Sequence, residues 1–181
     1  MLPLLIALGG GACVAAAMDG RRVRSVFGLE TLRVRGLVVG AVAGAVLQLV
    51  AIGIDALIMT PVFGEAEDSG RDLVDAFDSP GEKVLLVLLI LVLAPVAEEL
   101  FHRGVLVPLA AMRWRPTTAA ILVGVFFALS HFDPRQLPAL AVLGISLGLL
   151  RIRFESVAPA IAGHLAFNAI GLAVIALDLG W

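Results

Sequence analysis

Six apolar stretches separated by short polar segments dominate the pattern of this chain. They run over residues 1–18, 36–63, 84–112, 117–132, 137–150 and 157–179. A helix rises about 1.5 Å per residue, so about 20 apolar residues cross the hydrocarbon core of a bilayer. The pattern therefore predicts an all-α fold, a polytopic transmembrane helix bundle with about six membrane segments. The fourth and fifth stretches are short, which is typical of helices that end inside a protein-lined cavity.

The composition agrees with this class of protein. Hydrophobic residues make up 60% of the chain and charged residues only 15%, and the mean hydropathy is +1.03. Soluble domains carry about 25% charged residues, so we expect the lipid bilayer to be the solvent. The net charge of -2 offers no basic field for nucleic acid. The single cysteine, Cys13, excludes a disulfide framework within the chain.

Short connections leave room for one integral membrane domain over residues 1–181. Within it we distinguish N-terminal helices with an acidic loop, over 1–83, from a core over 84–181. Residues 1–18 have no Lys or Arg before the apolar run, whereas Arg21 and Arg22 follow it. This polarity favours a retained anchor over a cleaved signal peptide.

The distribution of basic residues predicts the orientation. Nine arginines lie in the segments 19–35, 113–116 and 151–155, whereas the alternate loops carry three basic residues and the loop 64–83 carries seven acids. Because cytoplasmic loops are enriched in Lys and Arg, both termini are expected to be non-cytoplasmic. Abundant Ala, Gly, Val and Arg with few Lys indicates a GC-rich prokaryote, and hence a plasma membrane. Two GxxxG pairs, Gly40 with Gly44 and Gly144 with Gly148, predict close helix packing.

A small set of polar residues lies within the apolar stretches. A charge at the bilayer centre costs about 2.5–3.5 kcal/mol, so such residues are functional candidates. Counting residues from the flanking arginines places Glu98, His131 and Asn168 at one depth, and His164 nearer the cytoplasm. We expect them to converge in a polar catalytic cavity inside the bilayer. Asp55 is expected at the outer interface and need not be functional.

The helical period separates two adjacent glutamates. Glu99 and Arg103 are four residues apart with the acid first, so they can form an ion pair that supports the structure. Glu98 points about 100° away, because successive helical residues differ by that angle. Pro95 has no N–H, and in an α-helix it would free the carbonyl of Leu91 and kink the helix.

The polar set suits hydrolysis of an amide bond. Glu98 beside an imidazole can take a proton from water, and His164 with Asn168 can stabilise an oxyanion. Glu98, His131 and His164 could instead ligate Zn²⁺ with water in the fourth position, and the sequence does not choose. A bundle with buried polar struts is the non-functional alternative. His102 lies four residues after Glu98, as in metal-binding helices, but a complete HExxH pair is absent.

Three motifs in order resemble the CPBP intramembrane proteases, which include CAAX prenyl endopeptidases and bacterial Abi-type proteins. EELFHRG resembles the family's EExxxR box, FALSH its FxxxH box and HLAFN its HxxxN box. The resemblance covers residues 85–170. It implies that Glu98 with His131 activates water, that His164 with Asn168 forms the oxyanion site, and that Glu99 with Arg103 holds the helix. His102 stands where the family commonly has an aromatic residue.

The resemblance implies an intramembrane endopeptidase acting on a membrane-embedded or lipidated protein or peptide. Processing or sorting of C-termini is the expected role. The family's chemistry is described both as zinc-dependent and as metal-free glutamate catalysis, so the cofactor stays open. The alternative is a non-catalytic membrane immunity or adaptor protein of the same fold. Loss of Glu98 or His131 would favour that alternative, and this chain has both residues.

Overall fold

A computed structural model describes residues 27–29, 33–65 and 79–177. Five helices, and no strand, occur in these ranges. We number them α1 Val34–Phe63, α2 Pro80–Ala111, α3 Pro116–Leu129, α4 Leu137–Phe154 and α5 Ala158–Ala176.

All but α3 are long and apolar enough to cross a membrane, so the chain is an integral membrane protein built from helices. Five of the predicted stretches correspond to α1–α5, and the stretch 1–18 lies outside the described residues. The expected count of about six is therefore not confirmed. Helix α3 has 14 residues and is about 21 Å long, shorter than the hydrocarbon core of about 30 Å.

Proline and serine mark where the helices begin. Helix α2 starts with a capping box, in which the Ser79 hydroxyl accepts from the Glu82 N–H at 3.2 Å and the Glu82 carboxylate accepts from the Ser79 N–H at 3.1 Å. Helices α3, α4 and α5 each carry proline in the first turn. Proline is compatible with that turn because the first N–H groups of a helix have no partner within it.

Helices α1 and α2 contain π-helical segments, at Asp55–Met59, Leu89–Leu93 and Leu100–Leu106. In a π-turn each N–H bonds five residues back, so the side chains that follow rotate away from their α-helical positions. Two of these segments flank Glu98 and Glu99 in α2. The directions of the side chains before and after these glutamates therefore cannot be derived from a single helical period.

Helices α1 and α5 run parallel along a stripe of small residues. Gly40 lies against Pro159 and Gly44 against Gly163, and a Cβ on Gly44 would collide with the Gly163 carbonyl. The predicted packing role of the Gly40 and Gly44 pair is confirmed. Small residues are what allow two helix backbones to approach this closely in a membrane.

Helices α3 and α4 pack antiparallel, with Gly124 against Gly144 and Ala120 against Gly148. This confirms the second predicted GxxxG pair as a packing surface. The apolar core lies beside this contact and connects α3, α4 and α5. Its buried members are Phe127, Ala128, Leu140, Leu143, Leu147 and Ala160.

The bundle is apolar on its outside and holds ionisable groups inside. Valines and leucines such as Val42 and Leu49 on α1 are exposed at 59% and 62%. This is the arrangement expected in lipid, where a charged side chain is tolerated only when it faces the protein interior. The buried polar side chains are Gln48, Glu98, Glu99, His102, Arg103, Ser156 and His164.

Candidate active site

Arg103 and Glu99 form a fully buried ion pair within α2. Arg103 Nη1 donates to Glu99 Oε1 at 2.8 Å, and both side chains have 0% exposure. Arg103 Nη2 donates to the Gly144 carbonyl of α4 at 2.8 Å. The guanidinium also lies 4.7 Å from the ring centroid of Phe127 in α3. The ion pair expected from the four-residue spacing is therefore present, and it connects three helices.

His164 from α5 also binds Glu99. Its Nδ1 lies 2.9 Å from Glu99 Oε1, and because an ionised carboxylate only accepts, Nδ1 must carry the proton. Both Arg103 and His164 therefore donate to the same oxygen. Among the described residues Glu99 Oε2 has no hydrogen-bond partner. The spacing in α2 indicated the bond to Arg103, but nothing local to Glu99 indicated the contact with α5.

Glu98 has different surroundings from its neighbour. Its carboxylate is buried, and Oε2 lies 3.9 Å from His164 Nε2, which is beyond hydrogen-bond distance. No hydrogen bond to this carboxylate occurs within the described part of the chain. His164 thus lies between the two glutamates, bonded to Glu99 and close to Glu98, and no described residue uses the acceptor capacity of the Glu98 carboxylate.

His131 lies just past the end of α3. Its Nδ1 is 2.8 Å from the Phe127 carbonyl, which can only accept, so Nδ1 carries a proton and Nε2 of the neutral ring is a free acceptor. The Phe127 ring packs edge-on against the imidazoles of His131 and His164, at centroid distances of 4.7 and 5.7 Å. Phe127 therefore brings His131 and His164 together, and Glu98 joins this group through its approach to His164.

Asn168 lies further along the site than expected. Its Nδ2 donates to the Ile90 carbonyl at 3.0 Å, two turns before Glu98 in α2. The prediction that Asn168 shares the depth of Glu98 is therefore wrong, and His164 is the residue at that level. Counting from arginines assumed untilted helices, and small tilts shift such counts by about a turn.

The contact of Asn168 also corrects the effect of Pro95. In the π-turn before Pro95, Ala94 N–H bonds to Leu89 five residues back, so Pro95 would bond to Ile90. Because proline has no N–H, that carbonyl lacks a main-chain partner, and Asn168 supplies one. The carbonyl filled from outside the helix is thus that of Ile90 rather than Leu91. Asn168 keeps its second N–H for another acceptor.

His102 is buried beside the site, and its ring contacts the main chain of Glu98 rather than the Glu98 carboxylate. Its Nδ1 donates to the Glu98 main-chain carbonyl at 2.8 Å, and its ring packs edge-on against Phe101 and Phe127. Its Nε2 has no hydrogen-bond partner among the described residues. The aromatic surroundings agree with the expectation that this position packs rather than binds a ligand.

The donor set does not fit a metal centre. Within the described ranges no three or more His, Cys, Asp or Glu side chains are placed to hold a metal ion. Glu98, His131 and His164, the set considered for Zn²⁺, do not form such a group. We therefore derive no step of the chemistry through a metal.

The fold and the site define a class, namely helical membrane proteins with a buried glutamate and histidine site. The family model for type II CAAX prenyl endopeptidase Rce1-like proteins matches residues 80–170, about half of the 181 residues. The chain belongs to this Rce1-like family, which is a family of membrane CAAX-type proteases. No curated protein and no solved structure matches the chain. The match supports a peptidase, and the Abi-type and metalloprotease assignments gain no support from it.

Proposed function

We propose that this protein is an intramembrane endopeptidase that hydrolyses a peptide bond in a membrane-associated protein. Processing or sorting of C-termini is the role that fits the family best. One observation carries the proposal: adjacent glutamates have separate tasks. Glu99 is bound by Arg103 and His164, whereas the Glu98 carboxylate lies 3.9 Å from His164 Nε2 and accepts no hydrogen bond from the described residues. A carboxylate in that position is suited to general-base catalysis.

In the proposed reaction Glu98 and His131 hold the attacking water. The water oxygen bonds to the scissile carbonyl carbon, and one of its protons passes to the Glu98 carboxylate. His131 accepts a hydrogen bond at Nε2, because its Nδ1 proton is held by the Phe127 carbonyl. The product of this step is a tetrahedral intermediate that carries the negative charge on the former carbonyl oxygen.

His164 and Asn168 are the proposed donors to that oxyanion. A neutral His164 spends its only N–H on Glu99, so Nε2 can donate only if the ring is an imidazolium. The proposed donor form is therefore the imidazolium, which has Glu98 and Glu99 as its carboxylate neighbours. Asn168 contributes its remaining N–H. When the C–N bond breaks, Glu98 returns its proton to the leaving amine.

The surroundings of Glu98 favour a substrate that is already in the membrane. The outer surface of the bundle is apolar, with Val42 and Leu49 among its exposed residues. A soluble polypeptide would have to desolvate its backbone to enter, whereas a lipidated or helical segment already lies in the bilayer. The proposed partners are therefore lipid-anchored or membrane-embedded proteins, with the bilayer as solvent.

The test is cleavage of membrane-anchored reporters in proteoliposomes, with products identified by mass spectrometry. One reporter ends in a prenylated cysteine followed by three residues, a second has the same sequence without the lipid, and a third has a single membrane-spanning helix. We expect wild-type protein to cut an anchored reporter and Glu98→Gln to be at least about 100-fold slower. Glu82→Gln, at the exposed start of the same helix, should cut normally.

Two results would overturn the proposal. Equal cleavage by wild type and Glu98→Gln would show that Glu98 does not carry the chemistry. Binding of a reporter without cleavage of any of the three would indicate the non-catalytic adaptor instead. Preference for the prenylated reporter over its unmodified form would assign the lipid as part of what is recognised.

A further inference from the structure

A second arginine and carboxylate pair lies away from the site, in the connection between α3 and α4. Arg135 Nε and Nη2 donate to the two carboxylate oxygens of Asp55 at 2.7 and 2.8 Å. Nη2 also donates to Thr60 Oγ1 at 3.0 Å, and Nη1 to the Gly64 carbonyl at 2.7 Å. We call Asp55 and Arg135 the outer pair. It joins residues 80 positions apart in the sequence.

The π-helical segment of α1 prepares the binding place for Arg135. In an α-helix, Thr60 would lie about 140° around the axis from Asp55, because it follows five residues later. The wider π-turn at Asp55–Met59 brings them onto one face, where Thr60 Oγ1 lies 3.5 Å from Asp55 Oδ2. Both oxygens then accept from Arg135. Such π-turns are frequent at functional sites.

The chain between His131 and Arg135 is short and tightly held. Asp133 Oδ1 accepts from the Arg135 N–H at 2.9 Å, and Asp133 Oδ2 accepts from the Gln136 amide at 2.7 Å. Phe132, next to His131, has φ 55°, a left-handed conformation that is uncommon for a bulky residue. Backbone of this kind persists only where the surroundings impose it. The outer pair is one such constraint, three residues further on.

We propose that the outer pair positions His131 for catalysis. Arg135, anchored on α1 by Asp55, fixes the connection after α3 and so fixes the direction of the His131 ring. Arg135 and Asp55 are positioning residues, since they act through His131. The inference rests on the proposed function, in which His131 orients the water. It also gives α1, which lies before the matched family region 80–170, a task in the chemistry.

The end of α3 needs such an anchor because little else encloses it. Leu129 and Phe132, on either side of His131, are exposed at 52% and 82%. Helix α3 ends at Leu129, and beyond it the His131 N–H makes a single turn bond, to the Ala128 carbonyl at 3.2 Å. With Arg135 released, the connection can relax away from Glu98 while the rest of the bundle stays folded.

Kinetics with the anchored reporter test the proposal, using Asp55→Ala, Arg135→Gln and Arg135→Lys. Displacement of a catalytic group by about 1 Å can cost up to about 100-fold, so we expect kcat per folded molecule to fall about 10- to 100-fold in the first two variants. KM should change less than about twofold, because the substrate is bound elsewhere. Lysine keeps the charge without the planar fork, so Arg135→Lys should lie between Arg135→Gln and wild type.

Arg113→Gln is the matched control, since it removes an exposed arginine just after α2 ends at Ala111. It should leave kcat and KM unchanged. The proposal is overturned if the three outer-pair variants have wild-type kcat. It is also overturned if their loss of activity disappears once rates are divided by the folded fraction, since the pair would then serve stability alone.

A measurement independent of activity separates this proposal from the proposed function. Nitrogen NMR of labelled imidazoles, with His131 assigned by a His131→Gln variant, reports which ring nitrogen carries the proton. In Asp55→Ala we expect the His131 signal to move from a fixed Nδ1–H form towards a mixture, and amide exchange over 131–136 to accelerate at least about tenfold. Unchanged signals and exchange would overturn the positioning role. These changes in a protein that cleaves no reporter would support it and contradict the proposed function only.

Discussion

The described part of the molecule contains two arginine and carboxylate pairs with opposite properties. The inner pair, Glu99 with Arg103, is fully buried and leaves Glu99 Oε2 and Arg103 Nε without partners among the described residues. In the outer pair, Asp55 and Arg135 are 25% and 18% exposed, and each nitrogen of the guanidinium donates a hydrogen bond. The fully buried pair, whose charges are the more costly to desolvate, is therefore the one with atoms that lack hydrogen-bond partners.

This difference indicates what each pair is for. A buried ion pair with unpaired atoms is weak evidence for stability, because desolvation offsets much of the attraction. Its value here is that it places a positive charge and an oriented His164 beside Glu98. The outer pair, in contrast, fixes an orientation. Two nitrogens of the planar Arg135 guanidinium donate to the two Asp55 oxygens, which sets the direction of the side chains as well as their distance. The inner pair sets charge at the site and the outer pair sets position.

Breaking the inner pair should have the largest effect on stability. Glu99→Gln or Arg103→Met leaves one buried charge unmatched, which costs about 3–5 kcal/mol in measured cases. We expect the double variant, which strands neither charge, to be less destabilised than either single variant. Unfolding of the purified proteins in detergent measures this, and equal, additive losses in the double variant would mean that the pair is not coupled.

Separating α1 from α5 should have the next largest effect. Helix α1 carries Asp55 and α5 carries His164, so their contact connects the two regions. Gly44→Ala forces a Cβ onto the Gly163 carbonyl, and overpacking of this kind costs about 1–3 kcal/mol. Gly53→Ala in the same helix is the control, because a Cβ there meets nothing within 4 Å.

Alanine at Gly53 should stabilise α1 slightly, by up to about 1 kcal/mol, through its higher helix propensity. Thermal unfolding of the two variants in detergent gives the comparison. If Gly44→Ala and Gly53→Ala shift the unfolding midpoint in the same direction and by similar amounts, the close approach of α1 to α5 is contradicted.

The outer pair should matter least for stability. Ion pairs that are partly open to solvent contribute little to folding, so Asp55→Asn should lower the unfolding midpoint by at most about 2 °C. The same variant is expected to lose activity, because the outer pair serves the site through its geometry and not through its contribution to stability. A midpoint loss as large as that of Glu99→Gln would remove the distinction between the two pairs.

Local spacing predicted those features that depend on one helix. The bond from Arg103 to Glu99 follows from a four-residue separation, and the two GxxxG pairs pack as expected. The short length of α3 follows from a short apolar run. In each case the relevant residues lie within one or two turns, where the helical period fixes which side chains are neighbours.

Contacts between distant segments could not be predicted in this way. His164 is 65 residues from Glu99 and Arg135 is 80 from Asp55, so no periodicity relates them. The bond from Asn168 to Ile90 depends on a π-turn, and the apolar run Leu89–Leu93 gives no signal for one. The sequence signal for the outer pair is a polar residue within an apolar stretch, Asp55, and that signal alone indicates no more than an interfacial position.

The most direct test of the central claim compares adjacent glutamates in one experiment. Turnover of the anchored reporter per folded molecule is measured beside the unfolding midpoint for Glu98→Gln and Glu99→Gln. The account predicts that Glu98→Gln unfolds within a few degrees of wild type and loses at least about 100-fold in turnover. Glu99→Gln should instead lose the stability expected of a broken buried pair. Wild-type turnover in Glu98→Gln, or equal destabilisation of both variants, would contradict the division of tasks between them.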